Sequence, residues 1–227
     1  MPTEIGTHAK DDQPLKKTEA TFATEDLTRL NRVALTLEYA TVGWNVGEAV
    51  LTIGLGAAAS SLALIGFGTV SIVELFASGV VVWHLLPGHA VSSPARTARA
   101  HRLVAVAFVA LTAALTFAGL RDLVTGRRPE ESPWGIVYLA ITALVMFGLA
   151  VWKRRIATRL DSSPLRSEAS MTFLDGVLST STMLGLLLNA VVGWWWADPA
   201  AALIVGIAAA REAVENWHEA NDLHRPN

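Results

Sequence analysis

Six apolar segments, each long enough to cross a lipid bilayer as a helix, alternate with shorter polar segments along this chain. One crossing takes about 17 to 25 residues. The apolar segments lie at about residues 33–55, 61–85, 102–123, 134–152, 172–192 and 198–216. None shows the sustained alternation of a β-strand, and only helices or closed barrels cross lipid. The predicted fold class is therefore an all-α membrane protein with six transmembrane helices.

The polar segments set the predicted boundaries of the bundle. Residues 1–29 form a polar cytoplasmic segment without the apolar core of a signal peptide, residues 30–217 form the transmembrane domain, and residues 218–227 form a short cytoplasmic tail. The first segment is predicted to be disordered at its start and to continue as a short surface helix from about Thr24. Asp198, followed by Pro199, is predicted to cap the sixth helix.

The basic residues predict the orientation of the bundle. With the N-terminus inside, 15 of the 18 Lys and Arg residues lie in inner segments, among them Lys153 just after the fourth apolar segment. Only Arg121, Arg127 and Arg128 lie outside. Cytoplasmic segments of membrane proteins carry an excess of Lys and Arg. Both termini are therefore predicted to be cytoplasmic, in a multi-pass protein of the plasma (inner) membrane.

Polar residues interrupt three of the apolar segments at helical spacing, which places them on one stripe of each helix. The stripes are Glu38, Thr41, Asn45 and Glu48 in the first segment, Ser71, Glu74 and Ser78 in the second, and Thr172, Asp175, Ser179 and Thr182 in the fifth. The third and fourth segments have almost no polar side chains apart from threonines and Tyr138. The first, second and fifth helices are therefore predicted to face a polar interior, and the third and fourth to face lipid.

Three of these residues are carboxylates at bilayer depth, where an ionised group costs about 2.5–3.5 kcal/mol. Glu48, Glu74 and Asp175 have no cationic partner within any predicted segment, so they are expected to be protonated, hydrated or bound to a cation. Glu38 lies near the inner end of its helix and could reach the interface. The alternative interpretation, strongest for the Ser, Thr and Asn residues, is that the stripes form interhelical hydrogen bonds.

The amino-acid composition excludes several classes of function. The chain is 52% hydrophobic and 17% charged, below the charged fraction of about 25% in soluble domains. Its net charge of −2 provides no basic surface for nucleic acid, and the absence of cysteine excludes thiolate metal sites. No HExxH motif, phosphate loop or Ser–His–acid arrangement indicates an enzyme, and no cofactor is predicted. His84 is predicted to be interfacial, and His89, His101, His218 and His224 to be cytoplasmic.

Three stretches together resemble a known family. They are EYATVGWNVGEAV at 38–50, SSLALIGFGTVSIVE at 60–74 and DGVLSTSTMLGLLLNAVVGWWWADPAAALIVG at 175–206. The chain resembles the cation diffusion facilitator (cation efflux) family over most of residues 30–217, and in particular a subgroup that consists of the membrane domain alone. The resemblance implies a homodimeric antiporter that exchanges cytoplasmic divalent metal cations, most often zinc, for protons.

The resemblance also implies a binding site between the second and fifth helices, with two acidic or histidine ligands one turn apart on each. Glu74 and Asp175 match one position on each helix, whereas the partner positions hold Val70 on the second helix and Met171, or Thr172 if the register shifts by one, on the fifth. We hypothesise that the first helix supplies the missing donors. The predicted metal ligands are Glu74, Asp175, Glu48, Asn45, Ser71 and Ser179. Such an oxygen-only set suits hard divalent ions, whereas zinc prefers nitrogen, sulfur and oxygen donors.

Two other functions remain open. A degenerate transporter fold could serve as a non-transporting membrane partner or cation sensor, with Val70 marking the lost site. A permease for a solute other than a metal ion is a further alternative. A structural protein should tolerate Glu74→Gln with a change in stability only, whereas a transporter should lose flux.

Overall fold

The protein folds as six long helices in a computed structural model that describes residues 12–58, 62–86, 93–126 and 133–223. The helices are α1 (Asp12–Ala58), α2 (Leu62–Leu85), α3 (Pro94–Thr125), α4 (Pro133–Leu160), α5 (Ser163–Val192) and α6 (Ala197–Asp222). No strand occurs in these described ranges. The all-α bundle predicted from the apolar segments is confirmed.

The helices extend beyond the predicted apolar segments. The surface helix predicted from Thr24 is not separate, because α1 is one continuous helix from Asp12 onward. The disorder predicted before Thr24 is wrong for residues 12–23, which belong to α1, and residues 1–11 lie outside the described residues. Among the described residues, four helical stretches are long and apolar enough to cross a membrane: Gly68–Leu85, Pro94–Thr125, Trp134–Leu160 and Ser163–Val192. Six crossings and cytoplasmic termini stay predictions.

The connection between α5 and α6 differs from the predicted cap. Gly193 ends α5 in the left-handed conformation (φ 73°), and its N–H donates to the carbonyl of Asn189 at 2.9 Å. Helix α6 begins at Ala197, with Trp196 at the N-cap position and no capping hydrogen bond from its side chain. Asp198 therefore lies inside the first turn, and its prediction as the cap is wrong.

The helices pack mainly in three pairs, α1 with α2, α3 with α6 and α4 with α5. Helix α2 joins them by packing on both α3 and α5. The larger apolar core lies among α2, α3, α5 and α6 and includes Val70, Phe108, Leu111, Met171 and Val205. Large apolar side chains also lie exposed on the outside of the helices, as expected for surfaces that face lipid.

Candidate functional site

Polar side chains from α1, α2, α4 and α5 meet inside the bundle and form what we call the polar column. From the α4 N-terminal end toward its C-terminal end, the column contains Tyr138, Glu48, Ser71, Glu74, Asp175, Thr172, Ser78, Glu38, Glu168 and Lys153. All are buried except the partly buried Tyr138. Three of the four helices were predicted to face a polar interior. Helix α4 was predicted to face lipid, and for this face that prediction is wrong.

Glu74 and Asp175 occupy the middle of the column. Together with Val70 and Met171 they line a cavity of about 10 Å³, close to the space that one water molecule requires. Three of their oxygen atoms have no hydrogen-bond partner within the described part of the chain: both carboxyl oxygens of Glu74 and Oδ2 of Asp175. An unpaired buried charge is strongly unfavourable. These two carboxylates therefore require a proton, a water molecule or a cation.

Glu48 lies beside this pair and is held by two hydroxyl groups. Ser71 donates to its Oε2 at 3.0 Å and Tyr138 to its Oε1 at 2.6 Å. Glu48 also lies close enough to Asp175 for the two carboxyl groups to interact. The structure thus brings the first helix to the predicted site, as the proposed replacement ligand requires.

Asn45 and Ser179 are fully buried on the same stripes of α1 and α5. The amide atoms of Asn45 and the hydroxyl oxygen of Ser179 have no hydrogen-bond partner among the described residues. No group of three or more His, Asp or Glu side chains in the described ranges has the arrangement of a metal site. The six-residue ligand set therefore stays a prediction, and neutral oxygens would have to complete the coordination.

A buried group that we call the lysine cluster closes the other end of the column. The Lys153 ammonium donates to both oxygens of Glu168 at 2.7 Å and to Glu38 Oε2 at 3.3 Å. It also donates to Thr172 Oγ1 at 3.3 Å, and Ser78 donates to Glu168 at 2.8 Å. Lys153, Glu38 and Glu168 are 0% exposed. The interfacial position considered for Glu38 is therefore wrong, and Lys153 lies buried in α4 and not in a polar connection between helices.

Sequence reasoning missed Glu168 and misplaced Lys153 because each lies beyond the purely apolar part of its segment. The spacing of each residue from a polar residue on the same helix could have placed it in the polar interior. Glu168 lies four residues before Thr172, which continues the polar stripe of α5 by one turn. Lys153 lies eleven residues, about three turns, after Thr142 on α4. A helix can extend beyond its apolar segment, and polar residues at helical spacing in that extension lie on the same face as the polar stripe.

A second buried polar group joins α3, α5 and α6. His101 is fully buried between these helices. Its Nδ1 lies 2.8 Å from Asn216 Oδ1, and its Nε2 lies 2.7 Å from Ser163 Oγ and 3.0 Å from Glu219 Oε2. Every ring nitrogen has a partner, so this group fits a structural link between helices.

Comparison with known proteins supports one family. The model of the cation efflux transmembrane domain matches residues 100–220, just over half of the chain. The chain is also 32% identical over 91 residues to an uncharacterised transporter of Synechocystis sp.. That similarity covers 40% of this chain and 29% of the relative, so the chain matches less than a third of that protein's length. The family match includes Lys153, Glu168 and Asp175 on α4 and α5.

Proposed function

Because this chain belongs to the cation efflux family, we propose that it is a secondary transporter that exports divalent metal cations from the cytoplasm in exchange for protons. Glu74 and Asp175 are the central ligands in this proposal. Glu48 is the third acid, and Asn45, Ser71 and Ser179 supply neutral oxygens. The family resemblance further supports a homodimer and zinc as one substrate.

The observation that carries the proposal is the pair of buried carboxylates on the cavity. Glu168 and Glu48 accept hydrogen bonds from neighbouring side chains, whereas both oxygens of Glu74 lack a partner among the described residues. Carboxylate oxygens are strong ligands for divalent cations. A structural role alone would favour satisfied carboxylates, because each unsatisfied buried group destabilises the fold. The site is therefore suited to reversible binding of a cation.

The same two residues support proton coupling. A metal ligand must be deprotonated before it binds, so cation binding releases protons from carboxylates that were protonated. Glu74 and Asp175 line one cavity, and two ionised carboxylates this close repel each other, so protons can replace the cation when it leaves. Exchange of one cation for protons at shared oxygens requires no further group.

A proton-flux assay in proteoliposomes tests the proposal. The vesicles enclose a pH-sensitive dye, and zinc, manganese, cobalt, iron(II) and cadmium are added one at a time. We expect one or two of these ions to drive proton movement above the level of protein-free vesicles. Folded protein that gives no flux with any ion would refute the transporter.

A second candidate function is a non-transporting membrane partner or cation sensor. Val70 and Met171, which occupy the positions of the two missing ligands, both line the cavity. Two apolar side chains there favour a site that binds a cation weakly or not at all. This candidate predicts no proton flux and no effect of Glu74→Gln beyond a change in stability.

A further inference from the structure

The Lys153 ammonium sits in an oxygen cage of the kind that also binds metal cations. Four oxygen atoms from α1 and α5 surround its nitrogen: both oxygens of Glu168, Oε2 of Glu38 and Oγ1 of Thr172. All of these side chains are 0% exposed. Carboxylate and hydroxyl oxygens are the donors that hard divalent cations prefer.

One ammonium serves two carboxyl groups in this cage, at 2.7 Å from Glu168 and 3.3 Å from Glu38. Oε1 of Glu38 is buried and accepts no hydrogen bond from any residue that the structure describes. A single divalent cation would match two carboxylate charges, whereas the ammonium matches only one. The cage thus retains capacity for a cation of higher charge.

The cage lies one helical turn from the Glu74–Asp175 pair. Ser78 follows Glu74 by four residues on α2, and Thr172 precedes Asp175 by three residues on α5. Ser78 and Thr172 both donate to Glu168. In the predicted orientation the cage is on the cytoplasmic side of the pair, where an exported cation would arrive first.

We propose that the lysine cluster is a second cation site, with the Lys153 ammonium as its tethered occupant. A divalent cation displaces this ammonium from Glu38 and Glu168 on its way to Glu74 and Asp175. The inference rests on the proposed transport function for its direction, but the site itself is defined by the oxygens around Lys153. Packing alone gives little reason for the cluster, because apolar residues often replace buried ion pairs without loss of stability.

Cadmium titration of purified protein in detergent tests the site apart from transport. The titration compares Asp175→Asn with Asp175→Asn/Lys153→Met, so that the central pair is impaired in both proteins. We expect both proteins to bind Cd²⁺ at the lysine cluster and the Lys153→Met protein to bind it about tenfold more tightly, because the two carboxylates lose their competing ammonium. Adding Glu38→Gln and Glu168→Gln to that protein should abolish this binding.

Cd²⁺ binding that is no tighter in a monodisperse Asp175→Asn/Lys153→Met protein than in Asp175→Asn would overturn the proposal. If that variant does not fold, Lys153→Gln replaces it, because the glutamine amide is neutral and still able to donate a hydrogen bond. Cd²⁺ binding by the Lys153→Gln protein is then compared with that of its Asp175→Asn parent in the same way. A wild-type protein without flux would refute the transporter, while this titration would still report on the lysine cluster.

Proton flux in the otherwise wild-type chain tests the displacement step. We expect Lys153→Met to lower the half-saturating cytoplasmic Cd²⁺ concentration by about tenfold, since removal of a competing positive charge strengthens cation binding. The maximal rate should fall as well, because the cation is retained. A lower rate with an unchanged half-saturating concentration would assign Lys153 a structural role and contradict the displacement.

Discussion

The buried acidic residues of this protein differ in whether their carboxyl oxygens accept hydrogen bonds from neighbouring side chains. Glu48 accepts from two hydroxyl groups and Glu168 from an ammonium and hydroxyls, while Glu74 has no partner within the described residues. The sequence predicted that Glu48, Glu74 and Asp175 lie at bilayer depth on inward stripes. It could not predict their partners, because Tyr138 reaches Glu48 from a helix 90 residues away along the chain.

The short hydrogen bond between Tyr138 and Glu48 gives a prediction about the third acid. Tyr138→Phe removes this bond, and Glu48→Gln replaces its charged acceptor with a neutral amide oxygen, so each variant should slow cation-driven proton flux. The double variant should be impaired about as much as the more impaired single variant. Residues that share one contact typically couple by about 0.5–3 kcal/mol.

The matched control for this cycle is Tyr39→Phe, which changes the other of the chain's two tyrosines. Tyr39 is 55% exposed on α1 and should tolerate the loss of its hydroxyl group. Fully additive losses from Tyr138→Phe and Glu48→Gln would show that the two residues act independently. Unchanged proton flux in the Glu48→Gln variant would show that Glu48 is not a ligand of the transported cation.

Helix extent explains most differences between the predicted and observed elements. Five of the six apolar segments lie wholly inside their helices, and the other begins one residue before the N-terminus of α2, so hydropathy was sufficient to locate the helices. Hydropathy marks the part of a helix that matches lipid, and it does not mark where the helix ends. Lys153 and Glu168 lie in the extensions of α4 and α5 and pair there. Their pairing depends on tertiary packing, which a search for apolar segments does not capture.

Close approach of α5 and α6 at Gly185 gives a prediction about helix packing. A Cβ at Gly185 would lie 2.5 Å from the Cβ of Asp198 and 3.0 Å from its backbone nitrogen. Gly185→Ala should therefore push α6 away and destabilise the protein by about 1–3 kcal/mol. Thermal unfolding in detergent, followed by tryptophan fluorescence, should show a lower midpoint.

Gly148→Ala is the matched control for Gly185→Ala. Gly148 also lies inside a helix, but a Cβ there would meet nothing within 4 Å. Its unfolding midpoint should stay the same or rise, because alanine favours a helix more than glycine does. Equal midpoints for the two variants would contradict the close approach of α5 and α6.

The whole bundle assembles one site from helices that are distant in sequence. The family match covers α3 to α6, while Glu48 and Glu74 come from α1 and α2. The polar stripes and the family resemblance predicted that α1, α2 and α5 face the interior, but they missed the polar side chains of α4 and the α3 residues Leu111 and Leu115 on the cavity. The ligand that passes through, its direction and the dimer are properties of the assembled protein in a membrane, so they stay proposals.

Cysteine labelling tests the predicted orientation, since the chain has no cysteine of its own. Single cysteines replace Thr125, at the end of α3, and the exposed His218 on α6. A membrane-impermeant maleimide added to whole cells should label Thr125→Cys, and it should label His218→Cys only after lysis. The reverse pattern would contradict the orientation derived from Lys and Arg.

Uptake of Zn²⁺ and Cd²⁺ into proteoliposomes is the most direct test of the central claim that Glu74 and Asp175 carry the transported cation. Wild type is compared with Glu74→Gln and Asp175→Asn, and with Glu215→Gln as an exposed acid on α6. We predict that both site variants fall to the level of protein-free vesicles, while Glu215→Gln matches wild type. Wild-type uptake by folded Glu74→Gln or Asp175→Asn protein would contradict the claim.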